Sequence, residues 1–134
     1  MLLITDLDNT LYDWVMFFTA SFRAMVSSLT TIIDLPEETI LEQFKEVHQK
    51  YGNSEQPFAV LELRSVQEKF GGLSREQVLK ILDPALHKFN SVRKASLTLY
   101  PGVRDTLSLL RSRGVKIVGH TESVYTNSYW RLRG

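Results

Sequence analysis

Apolar residues fall along this chain in two patterns. Leu2, Leu3 and Ile4 form a short unbroken run, and 115–119 forms another around Val115, Ile117 and Val118. Runs this short and without alternation predict strands buried on both faces, as in a parallel sheet. Between them the spacing changes to three and four residues. Trp14, Phe17, Phe18, Phe22, Met25, Val26, Leu29 and Ile33 predict a helix with a wide apolar stripe over 14–33. Asp34-Leu-Pro-Glu37 reads as the start of a second helix, with Asp34 as cap, and Ile40, Phe44, Val47 and Tyr51 share one face of it until Gly52. A third helix is expected from Phe58 to Phe70, stopped by Gly71-Gly72. Ser74 with Gln77 forms a capping box for a fourth, which carries Val78, Ile81 and Leu82 until Asp83-Pro84 breaks it, and a further helix follows around Leu86, Phe89 and Val92. After a Pro101-Gly102 turn, Val103, Leu107 and Leu110 mark a helix ended by Gly114, and 125–133 is helical again.

The order is strand, helical block, helix, strand, helix, so the fold class is α/β with two parallel strands joined by a crossover. A length of 134 residues suits one domain, or a small domain carrying an insertion. Apolar content of 43% with 23% charge fits a globular chain. The formal net charge of +1 creates no field that would draw nucleic acid or anionic lipid, and Arg131 and Arg133 read as a solvated helix face. The absence of Cys excludes disulfides, thiolate metal sites and Cys nucleophiles, and fits a cytoplasmic protein. The N-terminus has no basic segment, and Asp6, Asp8 and Asp13 interrupt its apolar stretch, unlike a secretory signal. The 14–33 segment contains Arg23 and several Ser and Thr, which reads as an amphipathic helix and not as a membrane span.

The chemistry concentrates in "DLDNT", where Asp6, Asp8 and Thr10 follow the first strand at every second position. Two carboxylates held close repel, and burying either without a partner costs several kcal/mol, so a cation is expected beside them. A metal ion is the simplest. Asp8, Asn9 or Thr10 can cap the following helix, which accounts for one of these residues but not for Asp6. A calcium loop of the EF-hand kind needs Gly at its sixth position and Glu at its twelfth, where this chain has Leu11 and Phe17.

The succession "LLITDLDNTL", a helical insertion, "YPGV", a helix and "VKIVGHT" resembles the haloacid dehalogenase superfamily of hydrolases, mostly phosphatases. The resemblance implies a partial Rossmann-like core at 1–13 and 98–134, with an inserted α-helical cap domain at 14–97. It further implies a Mg²⁺-dependent phosphomonoester hydrolase that works through an aspartyl-phosphate. Asp6 would be the nucleophile and Asp8 the general acid and base. Mg²⁺ would be held by Asp6 and by the backbone carbonyl of Asp8, Thr121 would bind the substrate phosphate, and Thr10 would brace the loop. Asp8 favours phosphoryl transfer over dehalogenation, because the family's dehalogenases lack an acid two residues after the nucleophile. His120, next to Thr121, is expected to point to the opposite face of its strand and pack there.

The family's later Lys and metal-binding acids have no counterpart here: after Thr121 there is no Lys and no Asp, and the acid present is Glu122. The chain is expected to stop in mid-fold, with reduced activity on a small-molecule phosphomonoester. The alternative is a non-catalytic fragment or protein-interaction module, with an exposed sheet edge open to self-association.

Overall fold

The computed structural model describes residues 1–56 and 58–132, Trp130 by its backbone alone. The chain divides into two compact units, one made of Met1–Ala20 with Arg93–Gly134 and the other of Ser21–Val92.

In the first unit, β1 (Leu2–Thr5) and β2 (Lys116–Gly119) pair in parallel with Leu2 opposite Lys116 and Thr5 opposite Gly119. The pairing continues past the strand end, where the His120 N–H donates to the Thr5 carbonyl at 2.8 Å. Burial on both faces, expected from the unbroken apolar runs, does not occur. Leu3 and Ile117 are half-buried on one face, whereas Leu2, Ile4, Lys116 and Val118 are exposed on the other. Helix α5 (Val103–Ser112) packs against β2, and a covering layer for the second face is absent among the described residues. This unit's core is small: Leu7, Tyr12 and Phe17 are buried, with Leu11, Trp14, Phe18 and Leu97 packed against them.

Helix α1 (Trp14–Ile33) runs through both units. Its start is fixed by two side chains, since Asn9 Oδ1 accepts from the Trp14 N–H at 2.9 Å and Asp13 Oδ1 from the Met16 N–H at 2.8 Å. α1 is long and apolar enough to cross a bilayer, but Phe17 lies in the first unit's core and Met25, Val26, Leu29 and Ile33 lie in the second's. Asp34 does not cap the next helix. It adopts the left-handed conformation (φ 64°) and its N–H returns to the Thr30 carbonyl, so it closes α1.

The second unit is helical. α2 (Glu37–Tyr51) begins after Pro36 with Glu37 and Glu38 in its first turn and ends at left-handed Gly52. The helix expected from Phe58 is split: a 3-10 turn (Ala59–Glu62) precedes α3 (Arg64–Phe70), because Phe58 is left-handed and Leu63 extended. The capping box forms as read, with the Ser74 N–H donating to Gln77 Oε1 at 2.8 Å and the Gln77 N–H to Ser74 Oγ at 3.3 Å. Pro84 does not break the helix it opens. α4 runs unbroken from Arg75 to Ser96, with Pro84 exposed and the fully buried Leu82 and Ala85 anchoring the turns on either side of it. Burial of that opposite face outweighs the hydrogen bond that proline omits. Phe44, Ile40, Leu63, Leu82, Leu29 and Val26 form the centre of this core.

Candidate active site

Asp6 is the first residue beyond β1, and a tight turn follows it. Leu7 turns into the core and its carbonyl accepts from the N–H groups of Thr10 (3.3 Å) and Leu11 (2.9 Å), while Asn9 takes a left-handed conformation. Asp6 stays exposed and Asp8 half-buried. Asp6 Oδ2 accepts from Thr10 Oγ1 at 3.2 Å. Among the described residues no cation pairs with Asp6.

Asp8 has different surroundings. Arg131, on α6 (Tyr125–Leu132), donates from Nη1 to Asp8 Oδ1 at 2.8 Å and to Oδ2 at 3.0 Å, and to Ser123 Oγ at 3.3 Å. Its guanidinium lies 5.5 Å from the centre of the Phe17 ring, and 2% of its side chain is exposed, against 24% for Asp8. Tyr12 donates its phenolic O–H to Asp8 Oδ1 at 2.7 Å. The 97–100 segment holds Tyr12 in place: Leu99 pairs with it across an antiparallel bridge, and the Tyr100 N–H donates to the Leu11 carbonyl at 2.8 Å. Burial, reinforced by the bond to Asp8, pushes the Tyr12 phenol far above its ordinary pKa and keeps it a donor. Arg93 is half-buried, and burial together with repulsion from Arg131 pushes its pKa down.

The expectation of a solvated face at Arg131 is therefore overturned; Arg133 lies outside the described residues. Burial of the guanidinium is compensated because a carboxylate, a hydroxyl and an aromatic face all meet it. In the structure Ser128 and Arg131, three residues apart, share the buried face of α6, and the one sequence signal that bears on it is that the Asp6 and Asp8 pair called for a cation without saying which. The cation beside Asp8 is a side chain.

Thr121, two residues past β2, donates to Asp8 Oδ2 at 3.5 Å and accepts from the Ser123 N–H at 3.0 Å. The fold thus gathers Asp8, Tyr12, Thr121 and Arg131 around one carboxylate, and pairs Asp6 with Thr10. His120 is exposed and its side chain packs in no core. No group of three His, Asp or Glu side chains comes together among the described residues in a way that would hold a metal by itself.

An apolar strand is followed by an exposed carboxylate and a second carboxylate two residues on, and a hydroxyl follows the neighbouring parallel strand. A family model described as haloacid dehalogenase-like hydrolase matches residues 1–132, and the chain belongs to that family. No curated protein matches it.

Proposed function

We propose that the chain hydrolyses small-molecule phosphate esters through an aspartyl-phosphate on Asp6, with Mg²⁺ as cofactor and the helical unit Ser21–Val92 acting as a cap. The observation that carries this reading is the division of labour between the two carboxylates. Asp6 is exposed and, among the described residues, pairs with no cation, which leaves its carboxylate open to a metal ion and to substrate, whereas Asp8 is fixed by donors on both oxygens. Thr10 occupies Oδ2 of Asp6 and leaves Oδ1 to attack phosphorus. Thr121, whose hydroxyl meets Asp8 Oδ2 at 3.5 Å, would supply a hydroxyl for a phosphoryl oxygen, and Asp8 would handle protons.

The donor set suits Mg²⁺, which takes hard oxygen ligands and commonly keeps several waters beside one or two carboxylates. The Asp6 carboxylate and the Asp8 backbone carbonyl would hold it. When bound, the ion would screen the charge of Asp6 from the phosphate it attacks. The test is Mg²⁺-dependent hydrolysis of 4-nitrophenyl phosphate by the chain and by its Asp6→Asn variant. Activity lost on substitution and on chelation supports the reading; equal rates in both proteins refute it.

A second reading, a non-catalytic interaction module, is favoured by the exposed apolar row of Leu2, Ile4 and Val118 on one sheet face. It predicts equal behaviour of wild type and Asp6→Asn, and a sedimentation coefficient that rises with concentration and falls back on Ile4→Lys.

A further inference from the structure

The contacts of the Asp8 carboxylate are unequal, and the inequality divides the work of its two oxygens. Oδ1 accepts from Arg131 at 2.8 Å and from Tyr12 at 2.7 Å, which fills the two lone-pair directions of that oxygen. Oδ2 accepts from Arg131 at 3.0 Å, and its remaining lone pair meets nothing closer among the described residues than Thr121 Oγ1 at 3.5 Å, the outer limit of a hydrogen bond. A proton therefore has one loosely held place on this carboxyl, the side of Oδ2 that faces Thr121. Both strong donors are themselves fixed. Tyr12 is buried, is bridged to Leu99, and meets the Phe17 ring edge to face with 5.8 Å between centres. Arg131 bonds Ser123 as well and rests on the same Phe17 ring. Turning the carboxylate out of its plane breaks the Tyr12 and Arg131 bonds together.

We infer that Tyr12 and Arg131 are positioning residues for proton transfer: they hold Asp8 by Oδ1 and leave Oδ2, on the Thr121 side, as the oxygen that gives and takes the proton. The inference rests on the proposed reading of Asp6 as nucleophile and Asp8 as its acid and base. In the first step Asp6 Oδ1 bonds to phosphorus, the bond from phosphorus to the leaving oxygen breaks, and that oxygen takes the proton from Asp8 Oδ2 and departs as an alcohol. In the second step water attacks the same phosphorus and gives a proton back to Oδ2. The bond from phosphorus to Asp6 breaks with its electron pair returning to the carboxylate, and inorganic phosphate leaves. Tyr12 and Arg131 act through Asp8 and touch no reacting atom. A misplaced Oδ2 is felt in proportion to the leaving group's need of a proton, which is large for an alkoxide and small for 4-nitrophenolate.

The test compares kcat/KM for ethyl phosphate and 4-nitrophenyl phosphate, with Mg²⁺ present, in wild type, Tyr12→Phe, Arg131→Gln, Arg131→Lys and Asp6→Asn. A positioned acid and base is commonly worth about 10² to 10⁴ in rate, so Tyr12→Phe, which keeps the ring and removes the phenolic donor, should lose about tenfold or more on ethyl phosphate and less than about threefold on 4-nitrophenyl phosphate. Arg131→Gln should move the ratio of the two esters in the same direction. Arg131→Lys should restore most of it, because a single guanidinium nitrogen, Nη1, meets both oxygens of Asp8 and an ammonium can take the place of one nitrogen. The ratio is taken within one preparation, so partial unfolding, which removes active protein for both esters alike, does not alter it, and Tyr12→Phe decides alone should an Arg131 variant fail to fold. Equal losses on the two esters, no loss in Tyr12→Phe, or wild-type turnover of 4-nitrophenyl phosphate with none of ethyl phosphate would each overturn this inference, while an inactive Asp6→Asn leaves the nucleophile in place. Wild type no faster than Asp6→Asn on both esters would overturn the nucleophile reading and the inference together.

Discussion

A guanidinium with 2% of its side chain exposed is tolerated only where other groups replace the water it has lost, and Asp8, Ser123 and Phe17 do so for Arg131. Removing one member of such a pair strands the other, so Arg131→Ala should lower unfolding free energy by about 3 kcal/mol, the low end of the usual range because Asp8 keeps some contact with solvent; urea denaturation measures it. His48 makes a second prediction at this scale. Its ring sits against Phe22 and Phe44, and burial pushes its pKa below the ordinary value. Stability from the neutral ring is then complete above the unfolded pKa, near 6.5, and is lost as pH falls through the lower folded value. Urea midpoints at pH 7.5 and 5.5 should fall further apart for wild type than for His48→Gln. Among the candidate site residues, Asp6, Asp8, Thr10 and Thr121, which the structure joins as Asp6 with Thr10 and Asp8 with Thr121, could be singled out because positions at strand ends leave a mark in one dimension. Tyr12 and Arg131 could not. The role of Arg131 depends on a contact 123 positions away along the chain and that of Tyr12 on the turn that brings its phenol back to Asp8, and a lone Arg near the end of a short helix looks like any solvated cation.

Helix α4 shows how burial overrides a local breaker. Pro84 lies on its exposed side, where the missing N–H and the ring's crowding of the preceding turn lower helix stability without a packing role to offset them. Pro84→Ala should therefore stabilise the chain by about 2 kcal/mol, the helix gain being reduced by the freer unfolded backbone. At the other end of the scale, Ser74→Ala removes an oxygen that accepts the Gln77 N–H and should cost about 1 kcal/mol. Both are read from denaturant midpoints. Sequence periodicity located α1 and α5 well, and the capping box and Gly52 gave correct ends, because each such signal acts within a turn or two. Asp34 and Pro84 misled for one reason: Asp is at home both before a helix and, left-handed, after one, and Pro stops a helix only when nothing buried holds its two halves together.

At the scale of the whole molecule the two units differ in what holds them. The unit spanning Ser21–Val92 has a continuous core through Leu29, Phe44, Leu63 and Leu82, whereas the other buries Leu7, Tyr12 and Phe17 and leaves Leu2 and Ile4 at the surface. Amide hydrogen exchange should accordingly be slower in α2 and the middle of α4 than in β1 and β2. Sequence reading foresaw parallel pairing of the strands but not their exposure, since an apolar run records the preference of its residues and not the number of layers available to cover them. The register of Leu2 opposite Lys116 has a temporal side as well. During synthesis β1 leaves the ribosome before β2 and lacks this strand partner until residues 116–119 have followed, by which time every residue of the Ser21–Val92 unit is already out. A segment of high contact order waits for one of low contact order. The nascent chain should thus carry a folded helical body while the strand that leads into Asp6 and Asp8 is still unpaired, so that the proposed catalytic carboxylates are put in place only after that body has formed.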